Sequence, residues 1–509
     1  MFVRAVVGAF FGVYFLAGLC LFRDYGVSWD EAEARSEGVL SWKYALEKEP
    51  ALLTSRGRHY GVIFEMLLVA IEKALNLSKD PRALYFMRHF VTFTMFYTGL
   101  VFFYRLGACL WNSRGWGLAG SFFLAMSPRI FADSFYNSKD IPFLAMMIIS
   151  LYTLVRLLNE KTVSRTVSHA AVCALLTGMR IPGVMVILMT VLFMAGGRKL
   201  LSLLALYLVL VSAGTVLIWP VLWDKPLYHF VSALRDMSRY GWPGHVLYLG
   251  NEIKASSLPW HYIPVWIIIS TPLSYMVCFV AGCFASAGSL SGRFEWLRVS
   301  RSHCLILLAW FFIPLAAVVI FKSVLYDAWR QLFFIYPALI LIALGGLSAS
   351  FGWIREHCRG RLGTLIPAVI ILAVSADLFS VARFMIRAHP YQNVYFNRLA
   401  GRDMNEIKSR FELDYWGLSY RKALEEIVRR DADPKIKIFA ANFPGEINSL
   451  LLAPADRRRL VYVQRPEEAK YFLSNYRGHK EEYAYPDEFY SIKVDGAKIM
   501  VVYRMTPGS

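Results

Sequence analysis

Residues 3–22, VRAVVGAFFGVYFLAGLCLF, form a 20-residue apolar run broken by one charge, Arg4. At about 1.5 Å of rise per residue such a helix covers a hydrocarbon core of about 30 Å. No small-residue cleavage site follows it, so it reads as a retained helix and not a removed signal peptide. Ten further apolar stretches follow, at 84–109, 116–132, 141–158, 167–180, 183–197, 200–223, 261–288, 303–322, 331–349 and 363–386. With 57% hydrophobic and only 18% charged residues, the chain is a polytopic α-helical membrane protein with about 11 spans.

The fifth and sixth stretches are short, and Arg180-Ile181-Pro182-Gly183 separates them. Loop charge decides whether they count as one span or two. With the break kept and the N-terminus inside, the cytoplasmic pieces are Arg4 and loops 105–115, 156–166, 196–200, 289–302 and 351–361. Together they carry 14 Lys/Arg against 3 acids. This positive-inside pattern favours two short spans that meet as a hairpin, with the C-terminus on the far side. The excess of 11 accounts for most of the formal charge of +18. The basicity is therefore a topology signal, and nucleic acid is not an expected partner. All seven cysteines fall in spans or cytoplasmic loops, and none has zinc-site spacing.

Beyond the bundle, residues 31–46 and 59–77 read as helices lying along the membrane interface, because Glu65 and Glu72 are costly inside a span. From 387 the composition turns soluble, which gives a transmembrane part at 1–386 and an external α/β domain at 387–509. In that domain 419–430 is an amphipathic helix. Strands are expected at 435–441, 459–464, 470–474, 490–494 and 498–503, the last two joined by Asp495-Gly496, a dipeptide favoured in tight hairpins.

Charged residues gather where the chain leaves the bilayer on the outer side. Ser28-Trp29-Asp30-Glu31 follows the first span. Ser28 and Glu31 have capping-box spacing, and Asp30 is placed to act as a general base whose direction Glu31 or the cap fixes. Asp133, Asn137, Lys139 and Asp140 lie in the turn between the third and fourth spans, where they either cap the next helix and meet headgroups or contact a phosphate and a sugar. Lys322, Tyr326, Asp327 and Arg330 form a third group. Arg330 either snorkels to the interface or clamps a phosphate through its guanidinium fork. Arg180 at the tip of the short hairpin, His59 with Arg56 and Arg58, and His261 in an aromatic belt at 259–262 complete the candidates. The only Asp-x-Asp pair, Asp431-Ala432-Asp433, precedes Pro434 in the soluble domain and reads as a turn.

Several segments together resemble the lipid-linked-sugar glycosyltransferases of the C fold (GT-C), the superfamily of protein O-mannosyltransferases and lipid A aminoarabinose transferases, and within it a group of bacterial relatives. They are Asp24-Tyr25-Gly26-Val27-Ser28-Trp29-Asp30-Glu31, Phe135-Tyr136-Asn137-Ser138-Lys139-Asp140-Ile141-Pro142, Leu258-Pro259-Trp260-His261-Tyr262, Trp329-Arg330-Gln331, and His389-Pro390-Tyr391 leading to Asp414-Tyr415-Trp416-Gly417. The resemblance covers most of 1–420.

It implies a bacterial inner-membrane enzyme with a cytoplasmic N-terminus and a periplasmic active site and C-terminal domain. A polyprenyl-phosphate sugar is then the donor and a hydroxyl of a glycan, glycolipid or protein the acceptor. The transfer inverts, with Asp30 and Glu31 as the catalytic acids and Lys139 and Arg330 stabilising the leaving phosphate. Arg180, Asn137, His59, Arg58, Tyr326 and His261 help bind the donor, and either Asp133 or Asp140 matches the family's second acid. No cofactor is required, although a divalent metal is compatible. The competing class is a membrane transporter or lipid flippase with an external binding domain. Its one supporting feature is the broken helix at 180–183, and no repeated half accompanies it.

Overall fold

The computed structural model describes residues 2–194, 198–238, 241–293 and 299–505. The end of the expected sixth span and parts of two charge-counted loops, at 195–197 and 294–298, lie outside the described residues.

The bundle begins with α1 (Phe2–Leu21). Two helices beside the bundle follow, α2 (Glu31–Glu47) and α3 (Ile63–Ala74), and then α4 (Pro81–Trp111). Next come α5 (Arg114–Ala125), α6 (Pro128–Tyr136), α7 (Asp140–Glu160), α8 (Val163–Met179), α9 (Val184–Met194) and α10 (Arg198–Ile218). An amphipathic α11 (Pro226–Ser238) and a hairpin of β1 (His245–Tyr248) and β2 (Asn251–Lys254) precede α12 (Tyr262–Ser270), α13 (Leu273–Leu290) and α14 (Arg301–Ile320). A 3₁₀ turn at Arg330–Ile335 leads into α15 (Tyr336–His357), and α16 (Leu362–Arg387) closes the bundle.

Among the described residues every expected apolar stretch is mostly helical, yet only eight helices are long and apolar enough to cross a membrane. Three of the eleven stretches hold no helix of that length: 116–132, which is divided, and 167–180 and 183–197, the two expected to be short and to meet as a hairpin. α5 has 12 residues because Pro128 opens a new helix after Ser127, so the expected span at 116–132 is two short helices. α8 and α9 have 17 and 11 residues and are separated by a turn at Ile181–Gly183. A similar break at Thr271-Pro272 divides α12 from α13, where the chain before a proline is pushed into the extended region.

Helices α7 and α15 form the buried centre, whereas α1 and α16 lie at the periphery with most of their apolar surface outward. The closest crossing joins α13 to α15. A Cβ on Gly346 would meet the Cys278 carbonyl at 2.1 Å, and one on Gly282 would meet that of Ile342 at 2.0 Å. Small residues that allow backbones this close drive helix association in lipid, where hydrophobicity supplies no net attraction.

At the end of the bundle where α1 finishes sits the C-terminal α/β unit. It comprises α17 (Met404–Arg410), α18 (Ser419–Arg430) and a five-stranded sheet of order β4-β3-β5-β7-β6. The strands are β3 (Ile436–Ala440), β4 (Leu460–Tyr462), β5 (Tyr471–Ser474), β6 (Glu488–Val494) and β7 (Ala497–Arg504). β3 pairs parallel with β4 and β5, and β7 antiparallel with β5 and β6. Asp495 and Gly496 both take positive φ at the β6–β7 turn, the backbone that an Asp-Gly hairpin needs.

This unit is stitched to the segment that carries Asp30. The Asn448 side chain accepts from the Val27 N–H and donates to the Val27 carbonyl, each at 2.9 Å, and the Trp29 N–H donates to the Trp416 carbonyl at 3.1 Å. Arg421 donates to the Tyr25 carbonyl at 2.9 Å.

Candidate active site

At the start of α2 the acidic pair divides. Glu31 turns inward and is 2% exposed. Its carboxylate accepts from the Ser28 N–H at 2.7 Å and pairs with His89 at 3.1 Å, the former a bond of capping-box spacing made in the turn before the helix. It does not line the cavity described below and stands behind Asp30. Asp30, at the N-cap position, makes no side-chain capping bond. Its carboxylate instead meets Arg330 Nη2 at 3.0 Å and Lys139 Nζ at 3.7 Å. Burial pushes the Asp30 carboxyl upward, but the charges of Arg330, Lys139 and Arg477 outweigh it and hold the group at about 2.

Arg330 is the hub. Besides Asp30, it binds Asp140 at 3.1 Å and Asp327 at 3.0 Å, and its guanidinium lies 5.1 Å from the Tyr326 ring centroid and 4.7 Å from that of Trp416. Asp140 also pairs with Arg180, which joins the tip of the α8–α9 hairpin to the start of α7. Asn137 donates to Asp140 at 3.0 Å and to Asp133 at 2.8 Å, and Tyr136 donates to Asp133 at 3.1 Å. Of the two acids considered for the second position, Asp140 thus lies among the cations, whereas Asp133 is sealed one layer beneath.

Part of this cluster borders a cavity of about 460 Å³. Asp30, Lys139, Asp140, Arg180, Tyr326 and Arg330 line its polar end. Met185 and Leu188 of α9, Leu234 of α11, and Ile313, Ala317 and Phe321 of the α14 end line the other. Several of these apolar side chains also face outward from the bundle, where a bilayer would cover them.

Three candidates are placed elsewhere. His59 binds Asp236 at 2.5 Å and His229 at 3.1 Å, tying the segment before α3 to α11. Arg58 donates to the Ser55 carbonyl at 2.9 Å, and His261 pairs with the Tyr248 hydroxyl at 2.6 Å beside the β1–β2 hairpin. None of the three lines the cavity.

One charged side chain of this cluster escaped sequence reasoning. Arg477, from the loop after β5, binds Asp327 at 2.6 Å and the Tyr415 carbonyl at 2.5 Å, and stacks 4.5 Å from the Trp29 ring centroid. Asp327 and Ala328 both have positive φ, 56° and 61°. Two consecutive non-glycine residues in that region cost on the order of 1–3 kcal/mol each, and persist where surrounding contacts over-determine them. The Arg477–Asp327–Arg330 chain supplies such contacts. Among the described residues, no group of three His, Cys, Asp or Glu side chains is placed to hold a metal ion. The Asp431-Ala432-Asp433 turn is occupied by Lys470, 2.6 Å from both carboxylates.

Spanning helices, two helices lying beside them and a C-terminal α/β unit at the end where α1 finishes make a polytopic membrane protein with a charge-lined cavity. Among solved structures, the apo form of ArnT from Cupriavidus metallidurans superposes with a TM-score of 0.50 over 98% of this chain and 98% of that one, at 12% identity. The form of that protein bound to undecaprenyl phosphate gives 0.48, with 13% identity over 98% and 97%. At these identities the likeness is one of fold. No family model and no curated protein matches the chain.

Proposed function

We propose that this protein is an integral-membrane glycosyltransferase that moves a sugar from a polyprenyl-phosphate donor to an acceptor hydroxyl, with inversion and with Asp30 as general base. The observation that carries the reading is one cavity with two chemistries. Asp30, Lys139, Arg180 and Arg330 stand at one end, and an apolar trough between α9 and α14 forms the other. An isoprenoid phosphate has the same division. Its tail removes apolar surface from water, at roughly 25 cal/mol per Å², while its phosphate accepts charge-assisted hydrogen bonds from the arginine forks.

In the transfer, the acceptor oxygen bonds to the anomeric carbon as the bond from that carbon to the phosphate oxygen breaks. The electron pair leaves with the phosphate, and the hydroxyl proton passes to Asp30. The leaving group needs cations and no proton, and Lys139 and Arg330 provide them. One such donor is commonly worth about 2.7–4 kcal/mol of barrier. Asp140 orients Arg330 and Arg180, and Glu31 holds the backbone that presents Asp30.

By this reading residues 1–386 form the catalytic membrane part and 387–509 an external domain. The site faces the periplasm of a bacterial inner membrane, with a glycan, glycolipid or protein as acceptor. The test is mass spectrometry of envelope glycans and glycolipids from cells lacking the gene, complemented with wild type or Asp30→Asn. Loss of one sugar, restored by wild type and not by Asp30→Asn at equal expression, is the expected result. Full restoration by Asp30→Asn would remove Asp30 as the base.

A further inference from the structure

The three carboxylates on Arg330 are not equivalent. Asp140 and Asp327 are almost wholly buried, and each has a second arginine, Arg180 and Arg477 respectively. Asp30 retains 18% side-chain exposure and lines the cavity. Its second cation is Lys139, at 3.7 Å and itself a quarter exposed. Asp140 lines the cavity as well, but of the three carboxylates Asp30 is the least enclosed. A phosphate that reaches both Arg330 and Lys139 from the cavity meets Asp30 in its way.

We propose that Asp30 is a stand-in anion, holding Arg330 and Lys139 until the phosphate of an entering lipid displaces it, and that this displacement frees Asp30 to serve as the base. The inference rests on the phosphate-site reading above and concerns how that same site is switched on.

Two physical arguments support it. A carboxylate clamped by two cations is a poor proton acceptor, as the depressed Asp30 value reflects. Once those cations turn to a phosphate, the desolvation that already acts on Asp30 is no longer outweighed, and its basicity rises. Charge is also conserved locally. When the proton reaches Asp30 its negative charge vanishes, and one negative charge appears on the departing phosphate, so Arg330 and Lys139 face the same total charge before and after the step. Asp30 then gives its proton to water, regains its charge and competes for Arg330 with the lipid phosphate product, which promotes release.

The experiment measures binding of farnesyl phosphate, with farnesol as the uncharged control, to the purified full-length protein in detergent micelles. Wild type is expected to bind the phosphate and not the alcohol. Asp30→Asn, and Asp30→Ser as a second variant should the first fail to fold, are expected to bind it about tenfold more tightly, because a like charge beside the ligand is gone. Asp327→Asn, which loosens Arg330 without clearing the cavity, is expected to bind it more weakly. If wild type does not distinguish farnesyl phosphate from farnesol, the phosphate site itself is wrong and this inference falls with it. If wild type does distinguish them but neither Asp30 variant binds more tightly, the stand-in role alone is overturned.

Discussion

The membrane bundle and the C-terminal unit approach the same carboxylates from opposite sides and hold them by different means. The bundle supplies charge from residues close to helix ends: Asp140 and Lys139 at the start of α7, Arg180 between α8 and α9, and Arg330 in the turn before α15. Rigid helices fix these groups, and their ion pairs are nearly dry. The C-terminal unit contributes fewer charges and mostly backbone ties, through Asn448, Arg421 and Trp416 to residues 25–29, plus the Arg477 link to Asp327. One region thus makes the electrostatic field, and the other sets where Asp30 and Asp327 sit within it. Gly26 marks how closely the two meet, since a Cβ there would lie 2.5 Å from the Leu418 carbonyl.

Removing the bundle's hub is the harshest way to probe this division. Arg330→Gln leaves Asp30, Asp140 and Asp327 without their common cation, and breaking a buried pair from one side typically costs about 3–5 kcal/mol. Turnover is expected to fall by about 10³, from lost phosphate stabilisation and misplaced acids together. Thermal melting in detergent and a transfer assay on the same preparation check both numbers. A variant that melts like wild type would mean the three carboxylates do not depend on Arg330.

The sheet's contribution is expected to be smaller and of another kind. Arg477→Ala leaves Asp327 with Arg330 and the chain folded, but removes two charge-assisted hydrogen bonds, to Asp327 and to the Tyr415 carbonyl, each worth about 1.5–3 kcal/mol. The expected result is a roughly tenfold lower kcat with little change in donor KM, partly restored by millimolar guanidinium chloride. A purely structural residue would not be rescued by a free cation. Equal losses from Arg477→Ala and Arg330→Gln would erase the distinction between field and placement.

The same contrast explains what could be read from residues alone. The bundle's elements came from hydropathy and the break at 180–183 from its proline and glycine, and the acids and cations beside span ends stood out because charge there is costly. The breaks at Ser127-Pro128 and Thr271-Pro272 did not stand out. A hydropathy average weighs transfer energy and is blind to a missing N–H within an apolar run. The strands of the sheet followed from β-branched and aromatic runs and the Asp-Gly turn. Arg477 had no comparable signal. It lies between Tyr476 and Gly478, both with positive φ, in a polar loop, and only the pairing across 150 residues gives it meaning. Likewise, Asp30 and Glu31 are neighbours of the same charge, and nothing short of the helix start tells which one faces the cavity.

The mildest probe lies at the seam of the two regions, where Glu412 lines a smaller cavity of about 250 Å³ between the β1–β2 hairpin and the sheet. Burial raises the Glu412 carboxyl from its ordinary 4.5 to about 7, with Asp327 and Glu252 adding to the rise and Arg477 opposing it. The folded state therefore holds a proton that the unfolded chain gives up at lower pH. Below about 4.5 both states are protonated and Glu412 has no effect on stability. Between about 4.5 and 7 the unfolded state ionises alone and stability declines, and above 7 the full penalty is present. Glu412→Gln, which keeps the neutral shape at every pH, is expected to raise the melting temperature at pH 8 and leave it nearly unchanged at pH 4.5. Melting curves of both proteins in one detergent across that range check the sign. A loss at pH 8 that vanishes at low pH would show that Glu412 is held as a carboxylate, with Arg477 outweighing its burial, and would move Arg477 from placing Asp327 to pairing with Glu412.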